Sequence, residues 1–343
     1  MRATAVVVAR RDAEAIRRQL KERGHLRSDL AVLHRGEEVA FAVTSAPTPV
    51  PPGARIEEHE FPEAMVSAAR SYRDLLDLPT ESRRLLPRAF DVVGDIVVVR
   101  LPDELAPHAA SIGVALLEFV PGARLIGWDR GVHGVARVRR LERIAGDGPW
   151  VTRHRENGLE LDVDLERAYF SPRLAREHAR VAAEVRRGER VYDLCCGVGP
   201  FATAVAASGR AAEVEAVDLN PRAVELARTN IARVRSATRA IVREEPIEAF
   251  LATAPSCDRA ILNLPHEGIK YLAQVVSVVR PGGTVHYYEV TDRRRQPGRS
   301  EELREMTEAG DAWRVPRPHV VHPYSPQSDL VAYTLERGGM GNS

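Results

Sequence analysis

The nine residues DLCCGVGPF at 193–201 decide how this chain is read. They follow the apolar run that begins at Val191 and lead into ATAVAAS, so they stand where a strand turns into a helix. Gly197 and Gly199 permit a turn too tight for a side chain and let a ligand press against the backbone. Pro200 and Phe201 break the GxGxxG fingerprint of dinucleotide sites. The next strand, VEAVDL, ends in Asp218, 21 residues after Gly197, where an acid suits a pair of ribose hydroxyls. Glu244 and Glu245 follow the third strand, and either can meet an adenine amino group. This set fits S-adenosylmethionine better than a nicotinamide dinucleotide. The alternative is a structural strand–helix turn in some other doubly wound protein.

Around the loop, strands alternate with helices. VYDLCC, VEAVDL, RAIV, RAILNL, TVHYYEV and finally LVAYTLE read as strands; PRAVELARTNIARV and HEGIKYLAQVVSVV read as helices between them. That alternation builds βαβ units, so the expected fold class is α/β: a Rossmann-like, mostly parallel sheet over about 166–343, with LVAYTLE as an antiparallel edge strand. Cys195, Cys196 and Cys257 have no CxxC spacing. Neither a zinc cage nor a disulfide framework is expected, and Cys195-Cys196 reads as small apolar packing.

Upstream, two smaller α+β domains are expected. Residues 1–46 read as βαββ: TAVVVA, a helix opened by Asp12 with Ala13, Ile16 and Leu20 on one face, then LAVLH and VAFAVT around the turn RGEE. Residues 1–28 carry eight basic and three acidic side chains, a candidate phosphate-facing surface or a solvated helix face. Pro47, Pro49, Pro51, Pro52 and Gly53 mark a linker, which with a following helical stretch fills 47–84. Residues 85–165 read as a middle domain: DIVVVRL, the helix HAASIGVALLEFV, strands ARLIGW and GVARVRRLERIAG, then a hairpin turning at Asn157-Gly158, a pair that accepts the positive φ angles of a type I′ turn.

The 343 residues hold 49 basic and 48 acidic side chains, a net of +1, which excludes a global polycation but not a local basic face. Forty-four per cent of residues are apolar, ample for a core, and no apolar run approaches the roughly 20 residues of a membrane span. A soluble, cytoplasmic monomer is expected.

The fourth strand ends in Asn263-Leu264-Pro265-His266. In methyltransferases acting on ring nitrogens this loop often reads [N/D]-P-P-[F/Y]. Here the aromatic that would stack on a flipped base is missing, and Asn-x-Pro also makes an ordinary turn.

Together these pieces resemble the archaeal and eukaryotic class I tRNA (guanine-37 N1)-methyltransferases, the Trm5-like family. The resemblance rests on YFSPRLARE (169–177), DLCCGVGPF, NLPHEGIKYL (263–272) and VHYYE (285–289). LPRAFDVVGDIVVV (86–99), VARVRRLERIAG (135–146) and HRENG (154–158) support it upstream, and residues 1–46 look like the family's small amino-terminal domain. It implies a Rossmann-like methyltransferase domain, S-adenosylmethionine as cofactor, no metal, and a tRNA partner bound at the anticodon loop and by residues 1–46 elsewhere. It gives Glu177 the role of general base at guanine N1 and Arg137 that of stabilising charge on O6, with Asn263 and Pro265 in the target-base loop. It implies cofactor contacts at Tyr169, Arg173, His178, Asp193, Cys195, Gly197, Gly199, Phe201, Asp218, Leu219, Asn263 and Leu264, with Glu244 or Glu245 at the adenine. The chemistry is coherent: guanine N1 is not nucleophilic until its proton leaves, a carboxylate can take that proton, and an arginine can hold the resulting anion. Arg137 lies in a crowd with Arg139, Arg140 and Arg143; Glu177 on a charged helix could be a solvated member of i, i+4 pairs. TDRRRQPGR (291–299) reads as a basic loop, for RNA phosphates or for solvent.

Three rivals share much of this sequence pattern. One is transfer of an aminocarboxypropyl group to a wybutosine-pathway tRNA guanosine. Another is methylation of a small molecule or peptide. The third is a non-catalytic RNA-binding module.

Overall fold

The computed structural model describes residues 1–27, 30–62, 69–133, 138–307, 313–316 and 318–339. The chain divides into two compact units, Met1–Asp77 and Leu78–Ser343.

Among the described residues, the first unit is a four-stranded antiparallel sheet with one α-helix. Its elements are β1 (Arg2–Ala9), α1 (Ala13–Glu22), β2 (Leu33–Arg35), β3 (Glu38–Ala42) and β4 (Arg55–Glu60), in the order β2-β3-β1-β4. The apolar alternation of β1 buries Val6 and Val8 against Ile16 and Leu20 of α1, while Ala5 and Val7 face the other side. The expected boundary at residue 46 is too early, because RIEEHE pairs with β1 from Arg2 to Val7. β4 also changes the electrostatics. Up to Glu60 the unit has ten basic and nine acidic side chains, and Arg55 is bridged to Glu38 and Glu57. The excess of positive charge counted over 1–28 is largely cancelled by carboxylates the fold brings back.

The second unit opens with α2 (Thr80–Leu85), β5 (Asp91–Val93), β6 (Ile96–Val99), α3 (Ala109–Phe119), β7 (Leu125–His133) and β8 (Val138–Gly146). β6 and β7 are parallel across α3, in the order β5-β6-β7-β8. Gly113 is what lets α3 sit down on β8: a Cβ there would lie 2.7 Å from that of Ala145. The hairpin β9 (Val151–Glu156) and β10 (Leu159–Asp164) turns at Asn157 and Gly158, with φ of 48° and 78°, as the Asn-Gly pair predicts.

Then follow α4 (Ala175–Glu184), β11 (Arg190–Leu194), α5 (Pro200–Ser208), β12 (Glu213–Asp218), α6 (Pro221–Ala232), β13 (Arg239–Glu244), α7 (Ile247–Thr253), β14 (Cys257–Leu262), α8 (Leu272–Val278), β15 (Val279–Asp292), α9 (Gln296–Thr307), β16 (Trp313–Arg314), β17 (His319–Pro323) and β18 (Ser328–Arg337). The sheet runs β13-β12-β11-β14-β15-β18-β16, with β17 also on β18. The first five strands are parallel and β18 is antiparallel to β15. LVAYTLE is therefore not the edge: β16 and β17 cover its far side. Helices α4, α5 and α6 pack on one face and α7, α8 and α9 on the other. Central β11 is buried on both faces, which is why VYDL has no polar alternation.

The separation expected between 85–165 and 166–343 does not hold. Val93, Ile96 and Val98 share one core with Leu161, Val163, Phe170, Val198 and Ala223. The hairpin between them shares that core, so the site is built within one compact unit.

Candidate active site

A cavity of about 530 Å³ opens at the carboxyl ends of β11, β12 and β14. That is the position where doubly wound sheets bind ligands, and the size suits a nucleoside-like molecule. Its floor is the glycine loop. Cys195 and Gly197 line it in left-handed conformation, with φ of 63° and 56°. Gly197 N–H donates to Asp218 Oδ2 at 2.7 Å, and Asn220 N–H to Asp218 Oδ1 at 2.9 Å. These bonds aim the carboxylate along the cavity and leave each oxygen acceptor capacity for a ligand hydroxyl. Burial raises the pKa of Asp218 against the pull of those backbone donors. Beside it Leu219, 46% exposed, offers bare apolar surface to the cavity, with Pro246 and Ile247 also on the wall. Such apolar surface beside a carboxylate suits the faces of a purine ring.

The far wall is the Asn263-Leu264-Pro265 loop. It is pinned where Val290 N–H donates to Pro265 O at 3.0 Å and Gly268 N–H to Leu264 O at 2.7 Å. Asn263 Oδ1 is buried with no hydrogen-bond partner. An orphaned acceptor in a cavity wall is costly unless a ligand donor meets it.

The remaining expected residues divide into three groups. Tyr169, Arg173, Asp218, Leu219, Glu245, Asn263, Leu264 and Pro265 line the cavity, as do Cys195 and Gly197. Beneath it lie residues that build rather than face it. Gly199 has a φ of 77° and packs its missing Cβ against Ala227. Phe201 is buried, and His178 stands edge-on to it at 4.5 Å while pairing with Glu156 at 2.6 Å. Asp193 accepts from Ala202 N–H at 3.0 Å, tying the loop to α5, and burial pushes its pKa up to about 7. The expected cofactor contacts of Asp193, His178, Gly199 and Phe201 are thus replaced by support of the loop from below. Glu244 is exposed at the end of β13 and off the cavity wall, so of the two candidate acids only Glu245 lines the cavity.

Glu177 stands apart from both groups. Its side chain is buried but does not line the cavity. Arg180 and Tyr288 donate to Oε2 at 2.7 and 2.9 Å, and His319 pairs with Oε1 at 2.8 Å. Burial works to raise its pKa, but hydrogen bonds from Arg180 and His319 outweigh it and the net shift is downward. Tyr288 and His319 both stand opposite Ala332, one row below Val290, Leu330 and His322, which do line the cavity. Two of the residues that hold the carboxylate thus stand one two-residue step along the strands from the cavity wall.

Arg137 lies outside the described residues. Arg139 does reach the cavity, but it is spent on Asp129, Asp91 and the carbonyl of Phe170. The segment expected as a basic loop enters α9, and three of its four arginines are paired with carboxylates: Arg293 with Asp329, Arg295 with Glu302, and Arg299 with Glu289 and Glu302. The Cys195 thiol is pushed up to about 12 by burial and by Asp218 and Asp193, so it stays protonated and packs. Among the described residues no cluster of His, Cys, Asp and Glu could hold a metal, and no helix is long and apolar enough to cross a membrane.

Known proteins share this arrangement. The TRM5/TYW2 methyltransferase domain model matches residues 152–312, and the TYW2 N-terminal domain model matches 72–149. The tRNA (guanine(37)-N(1))-methyltransferase Trm5b of Pyrococcus abyssi is 35% identical over 288 residues, 83% of either chain. This chain belongs to the TRM5/TYW2 methyltransferase family. The crystal structure of wild-type Pyrococcus abyssi Trm5b matches with a TM-score of 0.76 at 31% identity, covering 98% of this chain and 99% of that one. The complex of aTrm5 with tRNALeu matches with a TM-score of 0.73 at 25% identity, covering 97% and 99%.

Within this TRM5/TYW2 chain, sequence reasoning missed Asn230. It is fully buried on α6, accepts from Asp162 N–H at 2.7 Å, and donates to Asp162 O and Val198 O at 3.0 and 2.9 Å. One amide thereby ties the hairpin, α6 and the glycine loop together. An asparagine amid ELARTNIARV was the only signal, and it reads equally well as surface.

Proposed function

We propose that this chain transfers the methyl group of S-adenosylmethionine to N1 of guanosine 37 in the anticodon loop of tRNA. The observation that carries the reading is Asn263 on the wall of the cavity that Gly197 and Asp218 also line, with its amide Oδ1 buried and without a hydrogen-bond partner. An amide oxygen there accepts from the N1–H or 2-amino group of guanine. Adenine presents only a lone pair at N1, so the same atom disfavours it. Family membership and the tRNA complex of a relative support the acceptor class. In a loop, base 37 is unstacked at modest cost and read on its edges.

The residues fit the cofactor. Asp218 takes the ribose hydroxyls, Leu219 and Ile247 the adenine faces, and Glu245 the amino group. When bound, S-adenosylmethionine supplies an electrophilic methyl on a sulfonium. The protein's part is orientation: Asn263 and Pro265 hold the purine edge in line across the cavity. The resemblance gives O6 to Arg137. For the N1 proton we assign Glu177 as the sink, reached through water, since two of the residues that hold it stand one row behind the wall and it is ionised near neutral pH. We extend the same reading to residues 1–60 as a contact for another part of the tRNA, and to a cytoplasmic location.

Incubation with labelled S-adenosylmethionine and unmodified tRNA bearing G37 or A37, followed by nucleoside digestion, tests the proposal. The expected product is 1-methylguanosine from G37 tRNA alone. Methylthioadenosine as by-product, labelled aminocarboxypropyl nucleoside, or no transfer to tRNA would overturn it.

A further inference from the structure

The Asn263 loop lacks the aromatic residue that flipped-base methyltransferases commonly place after their prolines, but the fold supplies one from elsewhere. Tyr324, in the short connection between β17 and β18, comes over the loop from 58 residues away. Its hydroxyl and His266 Nε2 are 3.1 Å apart, and the two rings meet edge to face at 5.4 Å and 64°. Both rings line the cavity beside Asn263, Leu264 and Pro265. Tyr324 is nonetheless 49% exposed, a large ring with an open face. Its backbone is not loose: Tyr324 N–H donates to Ser328 O at 3.0 Å, and the Ser325 and Ser328 hydroxyls pair at 2.7 Å, closing the turn.

We infer that Tyr324, held by His266, is the platform on which the unstacked purine lies while Asn263 reads its edge. The inference rests on the proposed guanosine methylation and adds the residue that holds the base. An aromatic ring pinned at its hydroxyl by an edge-on neighbour keeps one face for stacking, which every nucleobase can use. The division of labour follows: Tyr324 supplies sequence-tolerant affinity for a base, and Asn263 supplies discrimination. The position of His266 at the end of the base-reading loop couples the two, because the loop cannot shift without moving the ring.

The test compares tRNA carrying G37 with the same tRNA abasic at position 37, using wild type, Y324A, Y324F and Y324L. Base–aromatic stacking lost by truncation corresponds to roughly a 5- to 150-fold change. Wild type is expected to bind G37 tRNA more tightly than abasic tRNA by a factor in that range, and Y324A to lose most of the preference while binding abasic tRNA and S-adenosylmethionine as wild type does. Y324F keeps the π face but loses the hydroxyl contact to His266, so it should recover most but not all of the preference; Y324L keeps bulk without a π face and should not. If Y324A does not fold, the Phe-against-Leu comparison decides alone. An undiminished G37 preference in both Y324A and Y324L, or equal behaviour of Phe and Leu, overturns the platform. Wild type failing to form 1-methylguanosine would instead overturn the underlying reading, so the two failures are separable.

Discussion

Replacing Asp218 by asparagine separates binding from folding at this site. The carboxylate accepts from two backbone N–H groups, Gly197 at 2.7 Å and Asn220 at 2.9 Å, and has spare acceptor capacity on each oxygen for a ribose diol. An amide of the same shape keeps one acceptor oxygen and turns an NH2 toward the other donor. Ligand binding then loses a charge-assisted hydrogen bond worth about 1.5–3 kcal/mol, which is roughly a 10- to 150-fold weaker Kd. Stability responds differently. Burial raises the pKa of Asp218, so the folded state holds the proton more tightly than the unfolded chain does. Its contribution favours folding below the ordinary carboxyl pKa and is lost as pH rises through the folded value, so at neutral pH the ionised group costs stability. D218N removes that cost while leaving one backbone donor unmet, at about 1–3 kcal/mol, and the two effects oppose each other. The expected result by titration calorimetry is a large loss of affinity for S-adenosylmethionine and an equal loss for S-adenosylhomocysteine, which shares the ribose. The melting temperature should move by only a few degrees. Affinity within twofold of wild type in a folded D218N would refute the ribose assignment.

Other consequences are as specific. Asp193, raised to about 7 by burial, contributes stability that is full below about pH 4 and lost as pH rises through 7; relative to D193N, wild type should lose up to about 1.4 kcal/mol per pH unit across that window and level off above it, read from urea melts at several pH values. N230A leaves the buried Val198 carbonyl and the half-buried N–H and C=O of Asp162 without their partner, at about 1–3 kcal/mol for the buried group and less for the others, so thermal denaturation should show a fall of several degrees, together with weaker cofactor binding through Val198. E177Q should lower kcat at least tenfold with cofactor Kd unchanged, and the deficit should narrow in alkaline buffer as guanine N1 ionises unaided; a parallel loss of Kd and melting temperature would leave Glu177 a purely structural role.

What the chain's own order made legible were features whose signals are local. A glycine pair after an apolar run, an acid at the next strand end, an Asn-Gly turn and the strand–helix alternation each depend on neighbours within a few residues. They led to the Rossmann-like sheet, the cofactor loop and the Asn263 loop. Tertiary structure decided everything that depends on distant segments meeting. RIEEHE looks like linker until β1 presents an unpaired edge to it. The basic stretch 291–299 looks free until Asp329, Glu289 and Glu302 arrive beside it. Glu177 can be assigned to a helix from its pattern, but which way its carboxylate points is set by Arg180, Tyr288 and His319, the last 142 residues away. Tyr324 is an unremarked tyrosine until the turn after β17 sets it over His266. Periodicity and turn chemistry act through the backbone close by, whereas the partner of a charge or a ring is chosen by packing, and packing exists only once the chain has closed on itself.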